Sequence, residues 1–317
     1  MMKHSAIAAL ALLGTTAALA QSSVTLYGRI NVSAEHQKEG DTSATAMANN
    51  SSRIGFKGVE DLGGGMTAGF QFESGIDPRT GASNGYARQS EVNLSGGFGM
   101  VRLGNFTSES YYATADYISM HNHDTGSSAD ALYAYPARDT SKIAYRTPSL
   151  GGATVEAGVS LHEQPSGTGG KNSLDLAANY EIGALGLGAG YSRLDDQRQF
   201  AVRASYTTGP FVLGAYVQRD KNVFIANGGN RTNLRLAVAY MMDASEFHLN
   251  VGRAGKYSNV SDSAATQFTL GYNYNLSKRT KVYALYTRIN NSQGASYGVG
   301  TAGDDFSSVA LGVRHNF

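Results

Sequence analysis

From Val24 to Phe317, apolar and polar side chains change places at every second residue, segment after segment. Only a strand, whose successive side chains point to opposite faces, has that period. In the segment Val24–Glu35, Val24, Leu26, Ile30 and Val32 oppose Thr25, Tyr27, Arg29 and Asn31. Further along, Val155, Ala157, Val159 and Leu161 oppose Thr154, Glu156, Ser160 and His162. Leu234, Leu236, Val238 and Tyr240 oppose Asn233 and Arg235, and Val309, Leu311, Val313 and Phe317 oppose Ser308, Arg314 and Asn316. The segments near Arg88–Ser95, Met100–Asn105 and Lys281–Ile289 are less regular, as a subunit contact or an apolar patch on the pore side would make them.

The connections fall into two sets. One is short and turn-like: Asp61–Gly65, Ser95–Gly99, Pro148–Gly152, Gly183–Ala184, Thr207–Pro210, Asp243–Ser245 and Asn275–Thr280. The other is mostly longer and polar: Gln37–Ser51, Ser74–Tyr86, the stretch from Asn105, Glu163–Lys171, Leu194–Gln197, Asp220–Arg231, Ala254–Ala264 and Asn290–Phe306. Seven short and eight long connections imply sixteen strands, with short turns at one end and long loops at the other, as in an outer-membrane barrel. A soluble β-sandwich would also alternate, but its polar face would not carry lone Arg, Glu and Asp beside so many glycines. The 39 Gly, 19 Tyr and 12 Phe fit close strand packing and interfacial aromatic girdles. The expected fold is all-β: a 16-stranded antiparallel transmembrane β-barrel.

The chain opens with Lys3 and His4, an apolar run from Ala6 to Leu13, and small residues ending Ala18-Leu19-Ala20. That order predicts a secretory signal peptide over 1–20, with the barrel over 21–317. After Gln21 no apolar run reaches the roughly 18–20 residues of a transmembrane helix, which does not weigh against strands of about 9–11. Without Lys3 the 26 Lys+Arg equal the 25 Asp+Glu, so the basic excess of a nucleic-acid binder is missing. Zero Cys excludes a disulfide framework and thiolate chemistry.

The stretch Asn105–Tyr135 is far longer than the usual connection of about 4–6 residues and carries Glu109, Asp116, Asp124 and Asp130. We read it as a loop that folds into the barrel and narrows a pore. His121 and His123 beside Asp124 are the only hint of hydrolase chemistry, but a G-x-S-x-G elbow and a phosphate loop ending in GKS or GKT are both absent. No catalytic residue, metal site or cofactor is expected.

SVTLYGRIN from Ser23, SSRIGFKGVEDLGGG from Ser51, RQSEVNLSGGFGMVRLGN from Arg88, RDTSKIAYRTPSLGG from Arg138, NLSKRTKVYALYTRINN from Asn275 and the terminal GVRHNF carry a resemblance over essentially the whole mature chain. The chain resembles the general-diffusion porins of Gram-negative outer membranes, the neisserial-like branch in particular. The resemblance implies short periplasmic turns, long extracellular loops, an inward-folded third loop, a homotrimer, and a multi-pass location in the cell outer membrane among lipid and lipopolysaccharide. It implies passive passage of small hydrophilic solutes and inorganic ions, with Phe317 read by the barrel-assembly machinery.

The resemblance also implies a basic wall at the constriction, carried here by Arg53, Arg88 and Arg138, facing acids on the inward loop. Parity puts Arg53 and Lys57 on one face, and Arg138, Lys142 and Arg146 on another; Arg29 projects with a polar face, whereas Arg88 shares the parity of Val92 and Leu94. Arg203 and Arg235 could extend the wall. The acidic candidates are Asp116, Asp124 and Glu109, although the family's Pro-Glu-Phe-like element is missing from this loop. Such a wall favours anions. The alternatives are a channel selective for small anions such as carboxylates or phosphate, and a receptor barrel with a plugged lumen, for which no plug-sized domain precedes the first strand.

Overall fold

The computed structural model describes residues 23–118 and 126–317. The first strands are β1 (Ser23–Glu39), β2 (Thr42–Asn49 continued as Arg53–Gly63), β3 (Met66–Asp77), β4 (Gln89–Gly96) and β5 (Gly99–Asn105). After a long connection come β6 (Lys142–Arg146), β7 (Ala153–Ser160), β8 (Ser173–Ile182), β9 (Leu185–Leu194) and β10 (Gln197–Thr208). The remainder are β11 (Phe211–Lys221), β12 (Asn230–Met242), β13 (Ser245–Ala254), β14 (Ala265–Asn275), β15 (Thr280–Asn291) and β16 (Phe306–Asn316). The two segments of β2 pair with the same strand, Val32 with Asn49 and Arg29 with Arg53, so Asn50–Ser52 is a bulge within one strand. Ala82–Ser83 pairs only with the end of β3 and lengthens its hairpin. Among the described residues this makes sixteen antiparallel strands in one sheet, closed where Arg29 to Glu39 of β1 pair with Asn316 to Phe306 of β16.

The alternation predicts the phase of the strands, and the structure gives it a physical sense opposite to a soluble protein's. Leu174, Leu176, Phe200, Val202, Leu234 and Leu236 lie on the exposed outer surface, while Asn31, Ser33, Gln199, Gln218, Asn233 and Gln267 are buried inside. Apolar outside and polar inside is what a closed strand barrel needs in lipid, where every backbone N–H and C=O must also be paired. At the short-turn end, outward rings form a chain: Phe211 to Tyr240 at 5.0 Å, Tyr240 to Phe247 at 6.4 Å and Phe247 to Tyr272 at 5.1 Å. Such amphipathic rings sit at a membrane interface.

Two expectations are corrected. The long polar connection Gln37–Ser51 is instead mostly ladder: β1 runs on to Glu39, the chain turns at Gly40 and Asp41, and Thr42–Asn49 returns. Met47 is the one large apolar residue in its Ala- and Thr-rich sequence, too little contrast to mark the strand by hydrophobicity. The multi-pass description also fails. No helix among the described residues is long and apolar enough to cross a membrane, and the strands close into one barrel that spans as a single body rather than as successive separate crossings.

The closing ladder runs on through Phe317. Phe317 N–H donates to Gly28 O at 3.1 Å, and Gly28 N–H donates to Phe317 O at 3.0 Å. The Phe317 ring lies over Gly28: a Cβ there would stand 2.4 Å from the ring and 2.7 Å from Arg53 O, which a side chain cannot do without displacing both. Gly28→Ala is expected to lower stability by about 1–3 kcal/mol, the usual cost of overpacking. The check is the temperature at which the folded, fast-migrating band is lost on semi-native electrophoresis, which should drop.

Candidate functional site

The connection between β5 and β6 builds the site. It begins with a short helix, α1 (Glu109–Thr114), and a 3-10 turn over Asp116–Ile118. Inward-facing side chains of the wall fasten it along much of its length. Lys142 Nζ donates to Phe106 O at 3.0 Å, Ser108 Oγ at 2.5 Å and Asp139 Oδ1 at 3.1 Å. Arg146 binds Glu109 at 2.5 Å and Glu156 at 2.8 Å. Ser110 donates to Asp175, Arg203 Nε donates to Ala113 O at 2.9 Å, and Asn250 Nδ2 donates to Ile118 O at 3.4 Å. The stretch therefore passes along the inner wall from β6 to β13.

The returning half is held as firmly. Gln267 accepts from Ala131 N–H at 3.0 Å and donates to Ala129 O at 2.7 Å; Gln218 accepts from Ala134 N–H at 2.8 Å and donates to Ala134 O at 2.9 Å. A carboxamide has a donor and an acceptor side by side, so each glutamine acts as a strand neighbour for the loop backbone. Asp130 takes Arg235 at 2.5 Å and the Tyr216 hydroxyl. Arg231 Nη2 and Asn233 Nδ2 both donate to Leu132 O, at 2.7 and 3.0 Å. Tyr111, Tyr133, Tyr135 and Tyr216 interlock edge to face with centroids 5.5–5.8 Å apart, a preferred aromatic geometry.

Opposite this strapped loop lies a basic sector. Arg29 and Arg53 are direct cross-strand partners on β1 and β2. Arg29 Nε donates to Asn316 Oδ1 at 3.1 Å. Arg88 Nε donates to Glu73 Oε1 at 2.7 Å, and Arg53 Nε lies 3.8 Å from Glu73 Oε2. Lys57 stands over the Tyr27 ring at 5.4 Å, and Arg314 of β16 is buried inside, paired in register with Asn31. Burial pushes the Tyr112 hydroxyl of the loop up, countered first by a hydrogen bond with Thr107; Asp116 and Glu73 add to the rise and Arg88 opposes it.

The predicted residues divide accordingly. Arg53 and Arg88 come together on Glu73. Arg88 escapes the parity of Val92 because it precedes the first ladder residue of β4, Gln89. Arg138 is not brought to them: β6 begins only at Lys142, and Arg138 donates to Leu161 O at 3.3 Å, on the β7 side of the mouth. Lys142 and Arg146 point inward but lie under the loop as its fastenings, as do Arg203 and Arg235. Asp116 lies half-buried in the 3-10 turn; Asp124, with His121 and His123, falls outside the described residues. Glu73, Asp130 and Arg314 were missed as site residues. Parity signals Glu73, which shares the face of Gln71 opposite Phe70 and Phe72.

Glu109 is 8% exposed, and burial pushes its carboxyl above the usual range, partly countered by Arg146. A raised folded-state value means that the folded protein takes up this proton at higher pH than the unfolded chain does. The charge therefore costs stability above the raised value, and that cost is relieved as pH falls through it. Acidification through that window leaves Arg146 with Glu156 alone. Anion preference should rise as it does so, and Glu109→Gln at neutral pH should reproduce the rise and flatten the response, read as zero-current potential against pH.

A model of the Gram-negative porin family matches residues 6–294. The chain belongs to the Gram-negative porins. Outer membrane porin protein 32 of Delftia acidovorans is 31% identical over the full length of both chains. The major outer membrane protein P.IB of Neisseria meningitidis is 26% identical, over 94% of this chain and 95% of its own. Among solved structures, the anion-selective porin from Comamonas acidovorans superposes with a TM-score of 0.79 at 27% identity, over 94% of this porin and all of that one. The porin is thus an outer-membrane channel for ion transport, built as a sixteen-stranded antiparallel transmembrane barrel, and not a catalyst.

Proposed function

We propose that this porin is a general-diffusion channel: a water-filled pore through which ions and small hydrophilic solutes pass passively, with anions preferred. The observation that carries the reading is the division of inward cations. Lys142, Arg146, Arg203, Arg231 and Arg235 hold the loop to one wall, whereas Arg29, Lys57, Arg53, Arg88 and Arg314 occupy the other with Glu73 among them. Guanidinium groups keep their charge at any working pH, so a passing anion meets a fixed positive wall. The anion-selective relative from Comamonas acidovorans supports the same sign.

In this reading, residues 1–20 are a removed signal peptide, 21–317 form the barrel, and 105–135 form the constriction loop. The short turns are periplasmic and the long loops extracellular. Arg53 and Arg88 form the narrow basic wall with Arg29 and Lys57, and Arg138 adds field at the mouth. Asp116 is the loop acid facing them, Asp124 is a further acidic candidate of the same loop, and Glu109 is neutralised in its ion pair. Phe317 is the assembly signal for the barrel-assembly machinery, and the protein works as a homotrimer among lipopolysaccharide. Liposome swelling tests the pore class. Uncharged sugars should enter in order of size; entry of only small carboxylates or phosphate would replace the general pore by a selective one.

A further inference from the structure

Strand β2 changes face within its own length. Asn49 pairs with Val32 on the outer face, yet Arg53, four residues on, pairs with Arg29 on the inner face. A strict period of two would put both on one face. Three residues, Asn50–Ser52, stand opposite two, Ile30 and Asn31, and the extra residue turns Arg53 toward the pore. Hydrogen bonds lock the bulge. Asn50 N–H donates to Asn31 O at 2.8 Å, Asn31 N–H donates to Ser52 Oγ at 2.9 Å, and Ser52 N–H donates to Asn49 Oδ1 at 3.1 Å.

The Asn50 side chain is buried, and its Nδ2 donates to Ser33 Oγ at 2.8 Å and to the Tyr283 hydroxyl at 2.9 Å. Both amide hydrogens are thereby used. The amide oxygen is turned onto Gly126 of the long β5–β6 connection. Gly126 has a φ of +84°, and a Cβ there would overlap Asn50 Oδ1 and lie 3.7 Å from Asn50 Cβ. Glycine meets both demands, the left-handed backbone and the missing side chain. Ala129 N–H then donates to Gly126 O at 3.2 Å, and Ala129 O and Ala131 N–H go on to Gln267. The connection is therefore seated on the bulge before its returning limb is fastened to β14.

We infer that Asn50 is a positioning residue of the pore: its amide oxygen seats Gly126, and this latch sets how far the long connection stands from Arg29 and Arg53. Arg53 follows directly on Ser52, so one local structure fixes both a wall arginine and the seat of the connection. Loss of the seat changes the gap between them without touching either arginine. The effect on selectivity rests on the proposed basic wall; the latch itself does not.

The chain has no Cys, so Asn50→Cys with Gly126→Cys tests the latch on folded porin. The Cβ–Cβ distance of 3.7 Å lies inside the range of about 3.5–4.5 Å that a disulfide spans. Oxidation should form the 50–126 bond, mapped by mass spectrometry of the linked peptides, and the oxidised channel should conduct as the parent does. Reduction of the same molecules frees the seat. Open-channel noise should then rise and the anion-to-cation ratio should fall about 2-fold, since a shift of a few ångströms is small beside a Debye length of about 8–10 Å. Gly126→Ala alone should alter the conductance more in the parent than in an Asn50→Ala background, because only the parent holds the amide oxygen that the methyl group meets. No 50–126 bond in folded porin, a bond whose reduction leaves noise and ratio both unchanged, or an equal effect of Gly126→Ala in the two backgrounds would each overturn the assignment. Raised noise with an unchanged ratio would keep the latch and count against the basic wall.

Discussion

Asp220→Ala should destabilise the folded barrel by about 3–5 kcal/mol, the cost of stranding one member of a buried ion pair. Asp220 and Arg231 are both fully buried and meet at 2.7 Å. The guanidinium also donates to Leu132 O at 2.7 Å and to the Tyr297 hydroxyl at 2.8 Å, and its carbon lies 4.7 Å from the Phe224 ring centroid. The Tyr257 hydroxyl donates to Asp220 at 2.6 Å. The pair therefore ties the 221–230 and 255–264 loops and the returning limb of the long β5–β6 connection to one point. Removing the carboxylate leaves a cation with no route to water and loosens the loop, so the denaturation midpoint should fall and open-channel current noise should rise. Arg231→Met strands Asp220 in turn and should cost a similar amount, whereas Arg231→Met combined with Asp220→Asn, which removes both charges, should cost less. Should both single variants melt with the parent, the pair would not be the fastening described.

The second large effect is on selectivity. Arg53→Gln with Arg88→Gln should lower the anion-to-cation permeability ratio by about 5-fold or more. The estimate takes ~1 kcal/mol for a unit charge at 4 Å in water, reduced by screening at working salt. The double change acts twice, because Glu73 loses the two guanidinium groups that hold it at 2.7 and 3.8 Å. Glu73→Gln alone should shift the ratio the other way. The single change Arg138→Gln should matter less than either arginine on Glu73, since its side chain reaches Leu161 O instead.

These predictions also separate what parity could read from what it could not. The phase of Val24, Leu26 and Ile30 against Tyr27, Arg29 and Asn31 follows from strand geometry, so lumen and lipid faces were legible in the regular segments, though not near Arg88–Ser95. The β1–β2 ladder was not, because Ala44, Ala46 and Ala48 carry too little apolar contrast to mark a strand. Parity shows that Lys142, Arg146, Arg203 and Arg235 point inward, but it cannot show that a loop lies over them. That depends on pairings such as Asp130 with Arg235, 105 residues apart, for which sequence spacing has no signature. Arg138 was assigned to a strand that starts four residues later. Glu73 was legible and overlooked, since an acid sharing a face with Gln71 beside the Arg53 strand is a natural partner for a basic wall.

The most direct measurement is the zero-current potential of the purified protein in a planar bilayer under a KCl gradient. An anion-preferring potential from a stable open conductance is the predicted result, with Arg53 and Arg88 setting its sign. A cation-preferring potential would contradict the basic wall and put the loop carboxylates in control of the pore.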